Sequence, residues 1–499
     1  MKIKKIYPKD WLDYKPYAIA DEVDRYYSTL ANKVQNMLAS SPWSKEFTDA
    51  LMLQQEAIVI TCWFEDICSN IGIWRVVNDE CLKRYGSRLP FYDMESYYPG
   101  EVNVQDLQLL LWDFLQSVND RGTLINPENP YIHELATQLA DLFESEFEYA
   151  PENERLHSFV HNPEIATDWM QFRAWLMWFE FNSYLTCDSR DQLEDQIYQM
   201  SKEGINNPEV TYSLSVDMSF REQSNLLSLN PVRWCSRITG IESLEKVDRV
   251  VARYLLYHDH DGNVIEVTDI CSGESYNVMV ENNLYDKFLN TCEPEKSVLS
   301  MDLATDGQKW YLTGIMFVIG NITDRKIKER VDQYKENQEI LREHKQTYDA
   351  MLKRNNGSPL LFLKDSDEAK KAYKKYFDFD DASLKQLPPQ FFSAKNMMVF
   401  ADPRKGICFS PGAAELIAHP DNPLYDRKTA DAKGISVYAK TDFLPYILAC
   451  DFHDSGYFKD ARINSVKGEE YGREFVRKHG AYLLDYFYAF TREYDKDKS

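Results

Sequence analysis

The chain has 499 residues, 44% of them hydrophobic and 27% charged, with a formal net charge of −23. This length allows about three domains of ordinary size and the composition is that of folded proteins, which excludes a small disulfide-stapled scaffold and a largely disordered chain. The negative charge repels phosphate backbones, so nucleic acid is disfavoured as a partner.

The negative charge is concentrated in one part of the chain. Residues 101–200 contain 4 basic and 19 acidic side chains, and residues 201–300 contain 9 and 16. The remaining segments are close to neutral. If the protein contacts a polyanion at all, we expect the contact in the C-terminal part.

Nine cysteines are scattered along the chain, and none is spaced as C-x-x-C. This pattern indicates reduced, mostly buried thiols rather than a disulfide framework or a zinc ribbon. The basic start Met1–Lys5 is followed by Asp10 and Asp13 instead of an apolar targeting segment, and no apolar run reaches the roughly 20 residues of a membrane helix. We therefore expect a cytoplasmic protein without membrane contact.

Residues 1–235 are predicted to form an all-α helical domain. Apolar residues at helical spacing predict one long, largely buried helix from Phe47 to Tyr85, with Gly86 as its stop. Further helices are predicted to begin near Val104, Asn129 and Ala166. The last one carries an aromatic stripe, which we interpret as core packing, with a ligand-binding face as the alternative.

Residues 236–322 are predicted to form a small antiparallel β-barrel of SH3-like size. Short runs of β-branched and aromatic residues alternate with turn dipeptides such as Asp261-Gly262 and Asp306-Gly307. The predicted strands are Val250–Tyr257, Asn263–Ile270, Glu274–Val280, Ser297–Leu303 and Trp310–Ile319.

Residues 323–357 are predicted to form a long connecting helix. Its apolar residues follow a three-four alternation, but Gln338 and Lys345 occupy two seam positions. A homodimer through the 323–354 helix and a helix packed on a neighbouring domain of its own chain both remain open. Residues 358–499 mix short strands with helices and are predicted to form an α/β or α+β module.

Two histidines one helical turn apart, His157 and His161, are the first metal candidates. Such a pair offers two ligands to zinc, but Ser158 stands where the H-E-x-x-H motif has its general base. Two surface histidines are the favoured interpretation. The ligand-rich run His258–Gly262 lies between predicted strands and is interpreted as a hairpin tip rather than a calcium loop.

A second constellation consists of Asp451, His453 and Asp454, which follow the apolar run Phe443–Cys450. A D-x-H pair of this kind opens the site of metal-dependent phosphoesterases, but only His479 remains downstream to complete it. These residues are the candidates for an enzymatic site that uses a divalent metal. No other cofactor is predicted, because glycine-rich phosphate loops are lacking in the sequence.

Several short motifs of this chain are familiar as a set. They are Ile6–Leu12, Trp63–Asp66, Leu89–Asp93, Asn126–Pro130, Ala150–Leu156, Asn422–Asp426 and Ile463–Ser465. Together they resemble an uncharacterised family from Bacteroidetes, a domain-of-unknown-function group, over nearly the whole chain. The resemblance implies a bacterial cytoplasmic protein and transfers no catalytic or binding residue.

The leading functional hypothesis is a non-catalytic intracellular binding or adaptor protein with a protein partner. It rests on a modular build without a complete catalytic set. The first alternative is a metal-dependent hydrolase that uses Asp451, His453 and Asp454, and the second is a nucleic-acid-associated protein.

Overall fold

The structure is a computed structural model. It describes residues 3–41, 50–118, 125–186, 188–202, 204, 206–221, 226–227, 229–280, 286–403, 405–416, 421–426, 428–429, 475, 478–479, 482–483 and 486. The chain divides into two compact units, of which the first comprises 1–118 with 130–331 and the second comprises 119–129 with 332–499.

The amino-terminal part of the first unit is helical, as the sequence predicts. Its helices are α1 (Pro8–Leu12), α2 (Glu22–Ser40), α3 (Ala50–Cys68), α4 (Ile73–Tyr85), α5 (Val104–Ser117), α6 (Pro130–Phe147), α7 (Glu154–Val160), α8 (Trp169–Asn182), α9 (Asp188–Lys202), α10 (Pro208–Met218) and α11 (Pro231–Thr239). The aromatic stripe of α8 is largely core, since Trp175 and Phe179 are fully buried and stack with ring centroids 5.2 Å apart.

The prediction of a single long helix from Phe47 to Tyr85 is wrong, because the helix is interrupted between α3 and α4. Asn70 and Gly72 adopt left-handed backbone conformations there, with φ of 48° and 96°. The carboxylate of Asp66 accepts hydrogen bonds from the amides of Gly72, Ile73 and Trp74, so it satisfies the open amino terminus of α4. Phe47 itself lies outside the described residues.

The central part of the first unit is a closed five-stranded barrel, and all five predicted strands are confirmed. They are β1 (Asp248–Asp261), β2 (Val264–Asp269), β3 (Ser275–Met279), β4 (Ser297–Thr305) and β5 (Trp310–Asn321), with the short helix α12 (Asp286–Leu289) before β4. The strand order is β1-β2-β3-β5-β4, and the closing β3–β5 pair is parallel while the others are antiparallel.

Strand β5 of the barrel packs directly on helix α10. At Gly314 the backbones approach so closely that a Cβ atom would overlap the carbonyl oxygen of Ser213 and lie 2.7 Å from the amide nitrogen of Asp217. Trp169 of α8 adds a second contact, because its ring stacks on Tyr311 at 3.8 Å between centroids. The helical part and the barrel therefore pack directly against each other.

The long connecting helix is confirmed as α13 (Arg325–Arg354). Ile327 and Val331, near its start, are buried against barrel residues of the first unit. Tyr348 and Met351, near its end, pack in the core of the second unit. Apolar residues at both ends of α13 are therefore packed against residues of the same chain. A homodimer through 323–354 stays a prediction.

The second unit contains the predicted mixed module. An antiparallel sheet in the order β6-β7-β8 is formed by Leu360–Asp365, Lys395–Asp402 and Gly406–Ser410, with helices α14 (Ser366–Phe377), α15 (Asp381–Lys385) and α16 (Pro389–Ser393). The helix predicted through 482–490 lies largely outside the described residues.

Within the described ranges, a search for membrane-spanning helices finds none that is long and apolar enough by itself. Helices α3 and α4 reach the required length and hydropathy only when taken together, and they bend by 86° at the break between them.

The close approach at Gly314 gives a direct test of the barrel's position. We expect Gly314→Ala to lower the free energy of unfolding by about 1–3 kcal/mol, because the added methyl group overlaps the backbone of α10. Urea denaturation followed by circular dichroism measures the change. Ser300→Ala on the neighbouring strand is the control and should shift stability by less than about 0.5 kcal/mol. Equal stability of both variants would contradict the contact.

Candidate functional site

A buried ion pair lies at the centre of the helical part. Lys15 and Glu65 each expose about 1% of their side chains, and the ammonium group donates to the Glu65 carboxylate. Asn153 donates a second hydrogen bond to Glu65 at 2.9 Å, and the ammonium lies 4.2 Å from the centroid of the Trp11 ring. Every charge here is paired, as burial requires.

Two further carboxylates, Asp66 and Asp106, are buried in the helical part. Asp66, which caps α4, also accepts a hydrogen bond from the Tyr184 hydroxyl at 2.8 Å. Asp106 accepts from the Tyr97 hydroxyl at 2.8 Å, and burial raises the pKa of Asp106 to about 7. These groups hold helices together by hydrogen bonds from neutral donors, which is a structural role.

A cleft of about 750 Å³ opens beside the buried ion pair. One wall is α1 with the segment that follows it, and the opposite side is formed by α8 together with Tyr212 of α10. The apolar lining consists of Leu12, Phe159, Met170, Met177, Trp178 and Phe181. Sites for organic ligands and apolar side chains commonly have this size and this kind of lining.

The charged groups of the cleft are mostly cationic. Lys9, Lys15 and Arg173 line it together with a single carboxylate, Asp13. Since Lys15 is neutralised by Glu65, the lining carries one net positive charge in a chain whose total is −23. Arg173 is buried and donates to the Tyr212 hydroxyl, so its guanidinium is held in place at the wall.

The amino-terminal wall is fastened to the opposite side of the cleft. The backbone carbonyl of Asp13 accepts hydrogen bonds from Asn182 at 2.6 Å and from Arg190 at 2.7 Å. Burial raises the pKa of the Asp13 carboxyl, while nearby Arg190 opposes that shift. The cleft is therefore a preformed feature of the fold, which lowers the entropic cost of binding.

The metal candidates His157 and His161 lie side by side at the end of α7, with ring centroids 4.5 Å apart. A ring nitrogen of His161 is 3.0 Å from the carbonyl oxygen of Ile71, and burial lowers the pKa of this imidazole. Among the residues the structure describes, no group of three or more His, Cys, Asp or Glu side chains is arranged to hold a metal ion. Neither histidine lines the cleft.

The second constellation, Asp451, His453 and Asp454, lies outside the described residues. The hydrolase built on it stays a prediction. His479 is described and belongs to the second unit, where its ring lies 4.7 Å from that of Phe475 and burial lowers its pKa to about 4.

Sequence reasoning missed the cleft, because its walls come from residues far apart in the chain. Two signals pointed to it. Glu65 and Asp66 are consecutive acids in the apolar second half of α3, and Arg173 is the one basic residue of the aromatic helix α8. Charges placed among buried apolar residues require partners, and two of those partners, Lys15 and Tyr212, line the cleft.

A family described as "Protein of unknown function (DUF3843)" matches residues 5–324 and 318–489 of the chain. No curated protein and no solved structure matches it.

The buried ion pair predicts an unequal response to two lysine substitutions. Lys15→Met should lower the free energy of unfolding by about 3–5 kcal/mol, because Glu65 is left buried without its counter-charge. Lys33→Met is the control, since the Lys33–Glu146 pair is half-exposed and should contribute less than about 1 kcal/mol. The double variant Lys15→Met with Glu65→Leu should recover much of the loss. Similar losses for the two single variants would contradict the role of the pair.

The buried Asp106 predicts a dependence of stability on pH. Its pKa is about 7 in the fold and near 4 in the unfolded chain, so the unfolded state alone releases the proton between these values and stability falls as pH rises. The Asp106→Asn variant has no carboxyl group at this position, so this titration is absent. We expect its stability relative to the parent to improve by a few kcal/mol from pH 4.5 to pH 8 in urea denaturation. A constant difference across this range would contradict the assignment.

Proposed function

Because the chain belongs to the family Protein of unknown function (DUF3843) and no activity comes with that description, we propose its function from its geometry. We propose that it is a binding protein of adaptor type, whose helical cleft holds a short segment of a protein partner in a non-catalytic role. The observation that carries this proposal is a preformed cleft of about 750 Å³ that combines large apolar side chains with cationic groups.

The apolar lining indicates the first chemical requirement for a recognised segment, which is a large apolar side chain. Trp178 and Phe181 are buried, whereas Met170 is exposed. Methionines adapt their shape to different apolar partners. An aromatic or large aliphatic side chain of the partner would gain about 1.5–3 kcal/mol from burial here.

The charge of the cleft indicates the second chemical requirement, which is an acidic side chain. Lys9 and Arg173 line the cleft with a single carboxylate, Asp13, and the chain as a whole carries a net charge of −23. A partner segment with one aspartate or glutamate next to its apolar anchor matches this arrangement, while an extensively acidic partner is repelled by the rest of the chain. The recognised class is therefore an apolar-acidic peptide segment.

We place the protein in the cytoplasm of a bacterium. The buried thiols of Cys62, Cys81 and Cys235 support a reducing compartment. Nucleic acid remains a disfavoured alternative, and the acidic side chains on the barrel surface, such as Glu266 and Glu274, support that ranking.

Selection of displayed random peptides on the full chain tests the proposal. We expect enriched peptides to pair an aromatic or aliphatic residue with an aspartate or glutamate. Ala174→Trp, which fills the cleft from its exposed position on α8, should weaken their binding at least about tenfold in fluorescence polarisation.

Ala166→Trp is the matched control, because Ala166 is also exposed but does not line the cleft. It should leave the affinity unchanged, and circular dichroism should show both variants folded. Peptides that bind the parent and Ala174→Trp equally, or a selection that yields no binder, would contradict the proposal. A second variant, Lys9→Glu, should reduce affinity for the acidic peptides and leave their neutral analogues unaffected.

A further inference from the structure

Four polar side chains form a continuous hydrogen-bonded row on the outer surface of the barrel. Nδ1 of His258 lies 2.6 Å from Oε1 of Glu295, and Nε2 of His258 lies 2.7 Å from the Thr268 hydroxyl. The Thr268 hydroxyl is in turn 2.8 Å from the hydroxyl of Ser275. We call this row the Glu295–Ser275 relay.

The direction of the hydrogen bonds follows from the chemistry of the groups. A carboxylate only accepts, so Nδ1–H of neutral His258 donates to Glu295 and Nε2 is left as an acceptor. The Thr268 hydroxyl then donates to Nε2 and accepts from the Ser275 hydroxyl. A carboxylate, an imidazole and a hydroxyl joined in this order are the arrangement that activates hydroxyl nucleophiles.

The backbone departs from regular geometry at two residues of the relay, His258 and Glu295. The ladder between β1 and β2 shifts register between Tyr257 and Asp259, which makes His258 the extra residue of a β-bulge. Glu295 adopts a left-handed conformation with φ of 60°, and its amide donates to the carbonyl of Tyr257 at 2.8 Å. Bulges redirect side chains, and strained non-glycine residues concentrate at functional sites.

The register of the sheet completes the relay. Thr268 of β2 is the direct partner of Ser275 of β3, so their side chains lie on the same surface of the sheet. Ser275 is exposed, whereas Thr268 and His258 are partly covered. The accessible end of the relay is therefore the Ser275 oxygen.

We propose that Ser275 is a nucleophile toward small neutral carboxylic esters, with Thr268 and His258 carrying its proton and Glu295 positioning the imidazole. Acidic residues lie close to it in the chain and in the sheet: Glu266 and Asp269 belong to β2, and Glu274 directly precedes β3. Phosphate esters are repelled by these carboxylates, and a neutral ester is not.

The reaction is acyl transfer in two halves. The Ser275 oxygen attacks the ester carbonyl carbon, its proton passes to Thr268, and the Thr268 proton passes to Nε2 of His258. The ester C–O bond breaks, the leaving alcohol takes the proton back through the relay, and an acyl-Ser275 ester remains. Water then attacks this ester with the same proton path and releases the carboxylic acid.

Reaction of the full chain with 4-nitrophenyl acetate tests this inference. We expect a burst of one equivalent of nitrophenol and a single acetyl group, which peptide mapping by mass spectrometry locates on Ser275. Ser275→Ala should abolish the burst. His258→Gln should slow acylation at least about 100-fold, as loss of a general base does.

Two neighbouring positions supply matched controls. His260→Gln removes an imidazole that is bonded to the Tyr257 hydroxyl, outside the relay, and Ser272→Ala removes a nearby exposed hydroxyl. Both should react like the parent. Glu295→Gln should lower the rate constant of acylation without changing the apparent affinity for the ester, because the imidazole loses the carboxylate that orients it.

The inference is overturned if the parent reacts no faster than His258→Gln, or if the acetyl group lies on Thr268 or elsewhere. It does not rest on the cleft, and Ser275→Ala should leave peptide binding there unchanged. Circular dichroism of each variant excludes loss of fold as the cause of a lost burst.

Discussion

Two consecutive acids on helix α3 impose the main constraint on the helical part of this protein. Glu65 and Asp66 are both buried, and each must find compensation from a different element. Glu65 forms an ion pair with Lys15 from the segment after α1 and accepts a hydrogen bond from Asn153 at the start of α7. Asp66 takes the amides that open α4 and the Tyr184 hydroxyl. One turn of one helix thereby fixes the positions of four other segments, and the wall of the cleft is among them.

The barrel is held on the helical part by a comparable polar centre. Asp217 of α10 is buried and binds Arg221 from the turn after this helix, Arg249 of β1 and the Thr313 hydroxyl of β5. Arg249 also forms an ion pair with Asp302 of β4. The Asp217 carboxylate is therefore connected to β1 and β5 directly and to β4 through Arg249. The glycine at position 314 allows the strand to come close enough for these bonds. Charge pairing and backbone proximity depend on each other at this contact.

Local patterns in the sequence predicted the elements of the fold, and contacts between distant residues were out of their reach. Alternating apolar residues and turn dipeptides predicted all five barrel strands, since both signals are local. The parallel pairing of β3 with β5 was not predictable in this way, because it joins strands about 30 residues apart. The break at Asn70 required knowledge of which amides Asp66 caps. The run His258–Gly262 was interpreted as a hairpin tip. The turn lies at Gly262 and Asn263, whereas His258 lies within β1, and its contacts with Glu295 and Thr268 depend on register and on the bulge.

The closure of the barrel depends most on its shortest strand pairing. The β3–β5 pairing joins only two residue pairs, Val278 with Trp310 and Met279 with Tyr311, whereas β4 and β5 pair along most of their length. Tyr311 of β5 stacks on Trp169 of α8, so the helical part holds the strand on one side of this short pairing in place. An unpaired strand edge is a template for pairing with other chains, and closure removes such edges. The helical part therefore contributes to keeping the edges of β3 and β5 covered.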